Sequence, residues 1–222
     1  MRACAMRERP ILFNGAIVRA VLSGAKTQTR RVMKPQPADD IALATFPNPS
    51  ALGWRSSLRH SHGPTTAHFC PFGQPGDRLW VREAHAIFPT HGQHRTDGER
   101  WGPWGGLPTT VSEDGKQIAY YREGFDRCDP GRWRPSIHMP RWACRILLEI
   151  TAVRVERLQA ITEADAIAEG APARVDPSEL RWQHYVPHSR GFIELWNSTG
   201  GDWDSNPWVW VLGFKRLEVP HA

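Results

Sequence analysis

The stretch Gly24-Ala25-Lys26-Thr27-Gln28-Thr29-Arg30-Arg31 follows an apolar run (Ala16, Ile17, Val18, Ala20, Val21, Leu22) and turns the chain abruptly from hydrophobic to basic. The apolar spacing predicts a short amphipathic helix over 15–23, and Gly24 is placed to stop it, since glycine enters the left-handed region without a Cβ clash. The polar stretch has no clear period and is expected in the turn or first bonds after that helix. Lys26 and Thr29 are three apart, a spacing that sets both on one side of a helical turn. A threonine hydroxyl becomes a useful nucleophile when a base removes its proton, and a partly desolvated lysine is such a base. Arg30 and Arg31 would depress that lysine by like-charge repulsion and offer donors to an oxyanion or a phosphate. Spacing alone is equally that of an ordinary basic turn.

On the N-terminal side, Pro10 to Phe13 is a short apolar segment. Residues 1–9 hold three arginines but no apolar core or small-residue cleavage site, so they read as a flexible extension and not as a secretory signal. On the other side, 35–75 is rich in Pro, Ser, His and Gly and predicts a long irregular insertion, with a second over 88–116. Between them, Gly76-Asp77 is a turn signal and the chain from Leu79 through Val81 to Glu83 alternates as a strand. Strands are also predicted over 117–122 and over 143–158, the latter as one long strand or two consecutive ones. Thr162 can cap a helix that has Asp165 at the capping-box position and ends at Gly170. A second short helix is predicted over 191–198, and a closing strand over 207–218 with Trp208, Trp210, Leu212 and Phe214 on one face. This order predicts an α+β fold with a barrel-like sheet, short flanking helices and long loop insertions, all in one domain over 1–222.

Composition narrows the function classes. With 40% hydrophobic residues the chain can build a core, yet no run approaches the roughly 18 apolar residues of a membrane span. Cys4, Cys70, Cys128 and Cys144 are too scattered for a CxxC site and too few for a disulfide scaffold, which fits a reducing cytoplasm. The net charge of +5 and pI near 9.3 favour an anionic partner or substrate. Of 28 basic side chains only Lys26, Lys34, Lys116 and Lys215 are lysines. Several of the 11 tryptophans adjoin arginines, as in Arg100-Trp101, Arg132-Trp133-Arg134, Arg141-Trp142 and Arg181-Trp182. Such pairs either stack on bases and pair with phosphates or simply cover the core with indole rings and arginine stems.

Gly24, Lys26 and Arg31 match a glycine, one residue, a lysine, four residues and an arginine directly after a short apolar helix; in this the sequence resembles the ASCH family. Gly76-Asp77-Arg78-Leu79-Trp80-Val81 resembles the Gly-Asp strand of PUA-like barrels, and the stretch from Ile161 to Gly170 resembles the later helix. With the final strand these landmarks cover roughly half of the chain. Asn14-Gly15, Thr27-Gln28-Thr29-Arg30-Arg31 and Asn206-Pro207-Trp208 also resemble a branch common in phages and prophages. The resemblance implies a PUA-like mixed β-barrel. It also implies an amidohydrolase that removes the acetyl group from N4-acetylcytidine without metal or organic cofactor. Carried over by position, Thr29 would attack the amide carbonyl, Lys26 would take its proton, and Glu169 would protonate the leaving amine or hold the cytosine edge. Arg31, Trp80 and Glu83 are the candidate substrate-binding residues, with Arg31 orienting carboxylate or substrate; Glu83, at the end of its strand, either faces the barrel mouth beside Lys26 or is an edge-strand surface charge, the commoner case. Outside the resemblance, a glutamate ending a helix just before glycine is ordinarily a surface charge.

The chain departs from the compact members of that family by about forty residues between Arg31 and Gly76 and by more between Glu83 and the 143–158 strand. These insertions would close the pocket, recruit RNA or DNA, or select another substrate. Two competing readings share the fold: a module that binds RNA through exposed arginines and aromatic rings, and a ribonuclease in which Lys26 and the arginines stabilise a phosphorane. His60, His62, His68 and Cys70 lie within eleven positions but match no standard zinc spacing, so free loop histidines are expected. Ser136 and His138 lack both elbow glycines and an acidic partner, which removes the serine-hydrolase reading.

Overall fold

The two most apolar stretches of the chain, one near its middle and one near its end, pair with each other along almost their whole length. The structure, a computed structural model, describes residues 6–37, 56–60, 63–68, 70–94, 100–101, 104–127, 131, 133–174 and 187–218. Its elements are β1 (Glu8–Leu12), α1 (Gly15–Leu22), β2 (Gln28–Val32), β3 (Ser56–His60), β4 (Gly63–His68), β5 (Arg78–Arg82), β6 (His85–Pro89) and β7 (Gln93–His94). There follow β8 (Arg100–Trp101), β9 (Thr109–Val111), β10 (Gln117–Tyr121), β11 (Leu147–Arg157), α2 (Glu163–Ala168), α3 (Pro187–Ser198) and β12 (Trp208–Leu217). The fold is mixed α+β.

A five-stranded sheet in the order β1-β5-β11-β12-β2 forms the frame, parallel between β1 and β5 and antiparallel elsewhere. The β11–β12 ladder runs from Leu147 opposite Leu217 to Arg157 opposite Trp208, with a bulge between Ile150 and Ala152. Because successive side chains point to opposite faces, Trp208, Trp210, Leu212 and Phe214 enter the main core with Ile11, Val18, Leu79, Leu148 and Ile150, as the alternation predicts. Val209 and Val211, on the other face, pack with Leu158, Ala166 and Phe192. Both faces of β12 are thus buried, which is why it reads as an unbroken apolar run.

The polar stretch after α1 differs from expectation. Gly24 does stop the helix, at φ +79°, but residues 28–32 form a strand and not a helical turn. Here the ladder offered by β12 decides the backbone, with Thr29 opposite Leu212 and Arg31 opposite Trp210. β1 begins at Glu8, inside the segment read as a flexible extension, and the Arg7 amide donates to Asp77 Oδ1 at 3.0 Å. Within the expected 88–116 insertion, β9 joins β6 and β10 in a three-stranded sheet. That sheet packs on Phe88, Trp104, Tyr120, Phe125 and Trp133, which meet edge to face with centroids 4.9–6.1 Å apart. In the 35–75 insertion the described part is mainly the β3–β4 hairpin.

The sheet does not close into a barrel by hydrogen-bonded strands: β1 and β2 stand at its two ends, and no ladder joins them among the described residues. A side chain spans the gap instead. Arg31, on β2, donates from Nη2 to the carbonyl of Leu12 on β1 at 2.7 Å, with its guanidinium over the Phe13 ring. No helix among the described residues is long and apolar enough to cross a membrane.

Candidate functional site

Thr162 caps α2 by accepting from the Asp165 amide, Asp165 returns the bond to the Thr162 amide, and the helix runs only to Ala168. Gly170 follows at φ +71°, where an added Cβ would lie 2.9 Å from Ala20 Cβ and 3.1 Å from Lys26 Cβ. Only a glycine lets the helix end lie this close to the chain leaving α1. The closeness creates an isolated β-bridge between Lys26 and Glu169, with the Thr27 amide donating to Ala168 O at 2.8 Å.

In that bridge the Lys26 ammonium donates to Glu169 Oε2 at 2.7 Å and to the Glu169 carbonyl at 2.8 Å, with both side chains almost wholly buried. The other carboxylate oxygen accepts from Arg30 Nη1 at 3.2 Å. Arg30 Nη2 in turn reaches Glu156 at 3.0 Å and Asp165 at 3.3 Å. Arg154 extends the network to Asp165 at 2.6 Å, to Gln28 at 2.9 Å and to Glu156. A buried charge of either sign is tolerable only when paired in this way. Burial holds the Lys26 pKa below its ordinary value; the Glu169 carboxylate opposes the shift, and Arg31 and Arg30 add to it by repulsion, as the sequence led us to expect.

A cavity of about 400 Å³ opens on this pair. Lys26, Thr29, Arg30, Arg31 and Glu169 form its polar side, and Phe13, Ile17, Phe192, Leu195 and Trp196 its apolar side. Thr29 is buried, and its hydroxyl has no hydrogen-bond partner among the described residues. Strand geometry puts Thr29 and Arg31 on one face of β2 and Gln28 and Arg30 on the other. Arg31 lines the cavity without bonding to Glu169; the carboxylate's guanidinium partner is Arg30, which the sequence presented only as a neighbouring charge. Reading 28–32 as a strand would have exposed this, because alternate positions then have different partners. Phe192 and Trp196 had no signal beyond their place on a short predicted helix.

Two predicted binding residues lie elsewhere. Glu83 is 1% exposed and bound by both nitrogens of the Arg145 fork at 2.8 Å, under the three-stranded sheet and apart from Lys26. Burial raises its pKa against the opposing pull of Arg145. Trp80 projects from β5 away from the main core and lies between the guanidinium groups of Arg82 and Arg141, at 5.3 and 5.9 Å. The place of Trp80 follows from alternation, since Leu79 and Val81 take the core face of β5 and leave Trp80 on the opposite one. Among the described Arg-Trp pairs, Trp133 and Trp142 pack against core clusters, the covering role. No group of three or more metal-binding side chains occurs among the described residues. The side chains of His60, His62 and His68 lie outside those residues, and burial pushes the Cys70 thiol up to about 11. Ser136 borders the cavity from a short 3₁₀ turn.

Asp165 carries a testable consequence of the network. Partial burial alone would raise its pKa, but hydrogen bonds from Thr162 and Gln28 and the charge of Arg30 outweigh it and hold the carboxyl at about 2. A depressed folded-state pKa gives stability that is present above the unfolded value and lost as pH falls through the folded one. The unfolding midpoint is therefore expected to drop between pH 4 and pH 2. Asp165→Asn, with solvent screening of this partly exposed group taken into account, should remove about 1 kcal/mol at pH 7 and flatten that acid limb. Urea unfolding at both pH values checks it, and an unchanged acid slope in the variant would count against the assignment.

Comparison with protein-family models, with curated proteins and with solved structures returned no significant match.

Proposed function

We propose that this cavity removes the acyl group from N4-acylated cytosine nucleosides, on a scaffold related to the PUA-like fold of ASCH domains. The observation that carries the reading is the convergence of Lys26 and Thr29 with Glu169, 143 positions beyond the lysine, on one cavity whose volume suits a small ligand. In the proposed reaction Thr29 Oγ1 attacks the acyl carbon and Lys26 Nζ, as the free amine, accepts the hydroxyl proton. Collapse breaks the C–N bond, and the Lys26 ammonium returns the proton to N4 of the leaving cytosine. Water then hydrolyses the Thr29 ester, with Lys26 again as base. Glu169 has both oxygens engaged by Lys26 and Arg30, so its part is to orient the lysine amine rather than to hold the base or donate a proton.

A second reading, binding or cleavage of RNA at the same place, is favoured by two cationic side chains, Lys26 and Arg31, against one carboxylate lining the cavity. The discriminating experiment is release of cytidine from N4-acetylcytidine by the purified protein, followed across pH. The expected result is turnover whose kcat/KM rises through a single ionisation below the ordinary lysine pKa, because the lysine acts when deprotonated. Absence of turnover on acetyl, benzoyl and longer N4-acyl cytidines, together with salt-dependent RNA binding, would replace the hydrolase with the second reading.

A further inference from the structure

β2 is the outermost strand of the five-stranded sheet, and its register fixes which of its main-chain groups remain available. Phe214 N donates to Thr27 O at 2.8 Å, and Met33 N donates to Trp208 O at 3.0 Å. In an antiparallel ladder, residues that exchange hydrogen bonds alternate with residues that turn the same groups outward. Positions 29, 31 and 33 and the carbonyl of Thr27 therefore face β12, and Arg30 turns its N–H and C=O to the open edge. Neither group has a hydrogen-bond partner among the described residues. Arg30 is 3% exposed as a residue while its side chain is 0% exposed, so what the cavity sees of Arg30 is main chain. Its guanidinium, tied to Glu169, Glu156 and Asp165, holds that stretch of backbone in place.

A nearly buried peptide group without a partner is unfavourable, so a ligand able to satisfy it has an advantage. The N–H and C=O of one residue present a donor beside an acceptor in one plane. Toward Lys26 this edge is covered by the Ala168–Glu169 bridge, and Val32, which turns the same groups outward into the cavity wall, is exposed to water, so the buried pair is that of Arg30. A planar heterocycle with an acceptor nitrogen beside an N–H is complementary, and Phe13, Phe192 and Trp196 give the cavity an apolar side.

We infer that the Arg30 main chain reads the edge of the substrate base: its N–H donates to N3 of cytosine and its C=O accepts from N4–H. This rests on the reading that cytosine nucleosides occupy the cavity, but not on their being hydrolysed. N4-acylation leaves one hydrogen on N4, so substrate and product both retain the pair. The contact assigns base selection to a group that no side-chain substitution can delete, and it accounts for a site in which both Glu169 oxygens are already engaged.

The test is titration of the ¹⁵N-labelled full chain with cytidine and with 3-deazacytidine, in which a C–H replaces N3. Cytidine is expected to move the Arg30 amide proton downfield and slow its exchange, while 3-deazacytidine binds at least about tenfold more weakly and leaves that amide unmoved. Equal affinity for the two, cytidine binding with a silent Arg30 amide, or no cytidine binding at all would each overturn the inference. So would protection that spreads to the Val32 amide on adding an extended peptide but never appears with cytidine. Turnover of N4-acetylcytidine with a silent Arg30 amide would leave the hydrolase standing and remove only this contact; an Arg30 response without turnover would do the reverse.

Discussion

Thr29→Ala is expected to lower kcat for N4-acetylcytidine by about 10³-fold or more while leaving the unfolding midpoint close to that of the parent. The threonine is buried, yet its hydroxyl bonds to nothing among the described residues, so its removal strands no partner. The β2–β12 pairing at this position uses only main chain. Stability and chemistry are therefore separable here, and single-turnover kinetics beside thermal unfolding measure both. Thr29→Ser, which keeps an oxygen at the same place, should retain much more activity than alanine. Activity within tenfold of the parent in Thr29→Ala would move the attacking group from the protein to a water activated by Lys26.

Glu169→Ala is expected to act on both quantities at once. It leaves the buried Lys26 ammonium without its carboxylate and takes one acceptor from Arg30, a loss for which about 3–5 kcal/mol is typical. Urea unfolding should show a much lower midpoint, with activity lost in whatever fraction remains folded. Replacing both members of the pair, as Lys26→Met with Glu169→Met, should recover a good part of the stability, since no charge is then orphaned, and none of the activity. A loss under about 1 kcal/mol in Glu169→Ala would mean that water reaches the lysine and that the pair is not sealed.

The sequence made some of this legible because the signals were local. Asn14 and Gly24 bracket α1, Thr162 and Gly170 bracket α2, and the Trp208 to Phe214 alternation marks the core face of β12. Where it misled, the deciding interaction was distant in the chain. Residues 28–32 carry no strand pattern of their own, because Gln28 and Arg30 face an ion network supplied by 154–169 and not an apolar core. An arginine buried by three carboxylates looks, in one dimension, the same as a solvated one. Glu83 illustrates the converse: its buried partner Arg145 is 62 positions away, so nothing around it distinguished an enclosed ion pair from a cavity residue or an edge charge. The 88–116 stretch was obscured by glycines such as Gly92, Gly106 and Gly115, which take positive φ near aromatic residues that pack together.

The bond from Arg31 to Leu12 has a mechanical meaning. A strand ladder holds a sheet's circumference in whole-residue steps, because any change of spacing must break a register. Here one guanidinium spans the seam, and a side chain responds through its torsions, by fractions of an ångström, without altering any pairing. Arg31 also forms part of the cavity wall. At this seam the cavity wall is therefore held by a compliant joint and not by a ladder, which makes its width there depend on one side chain.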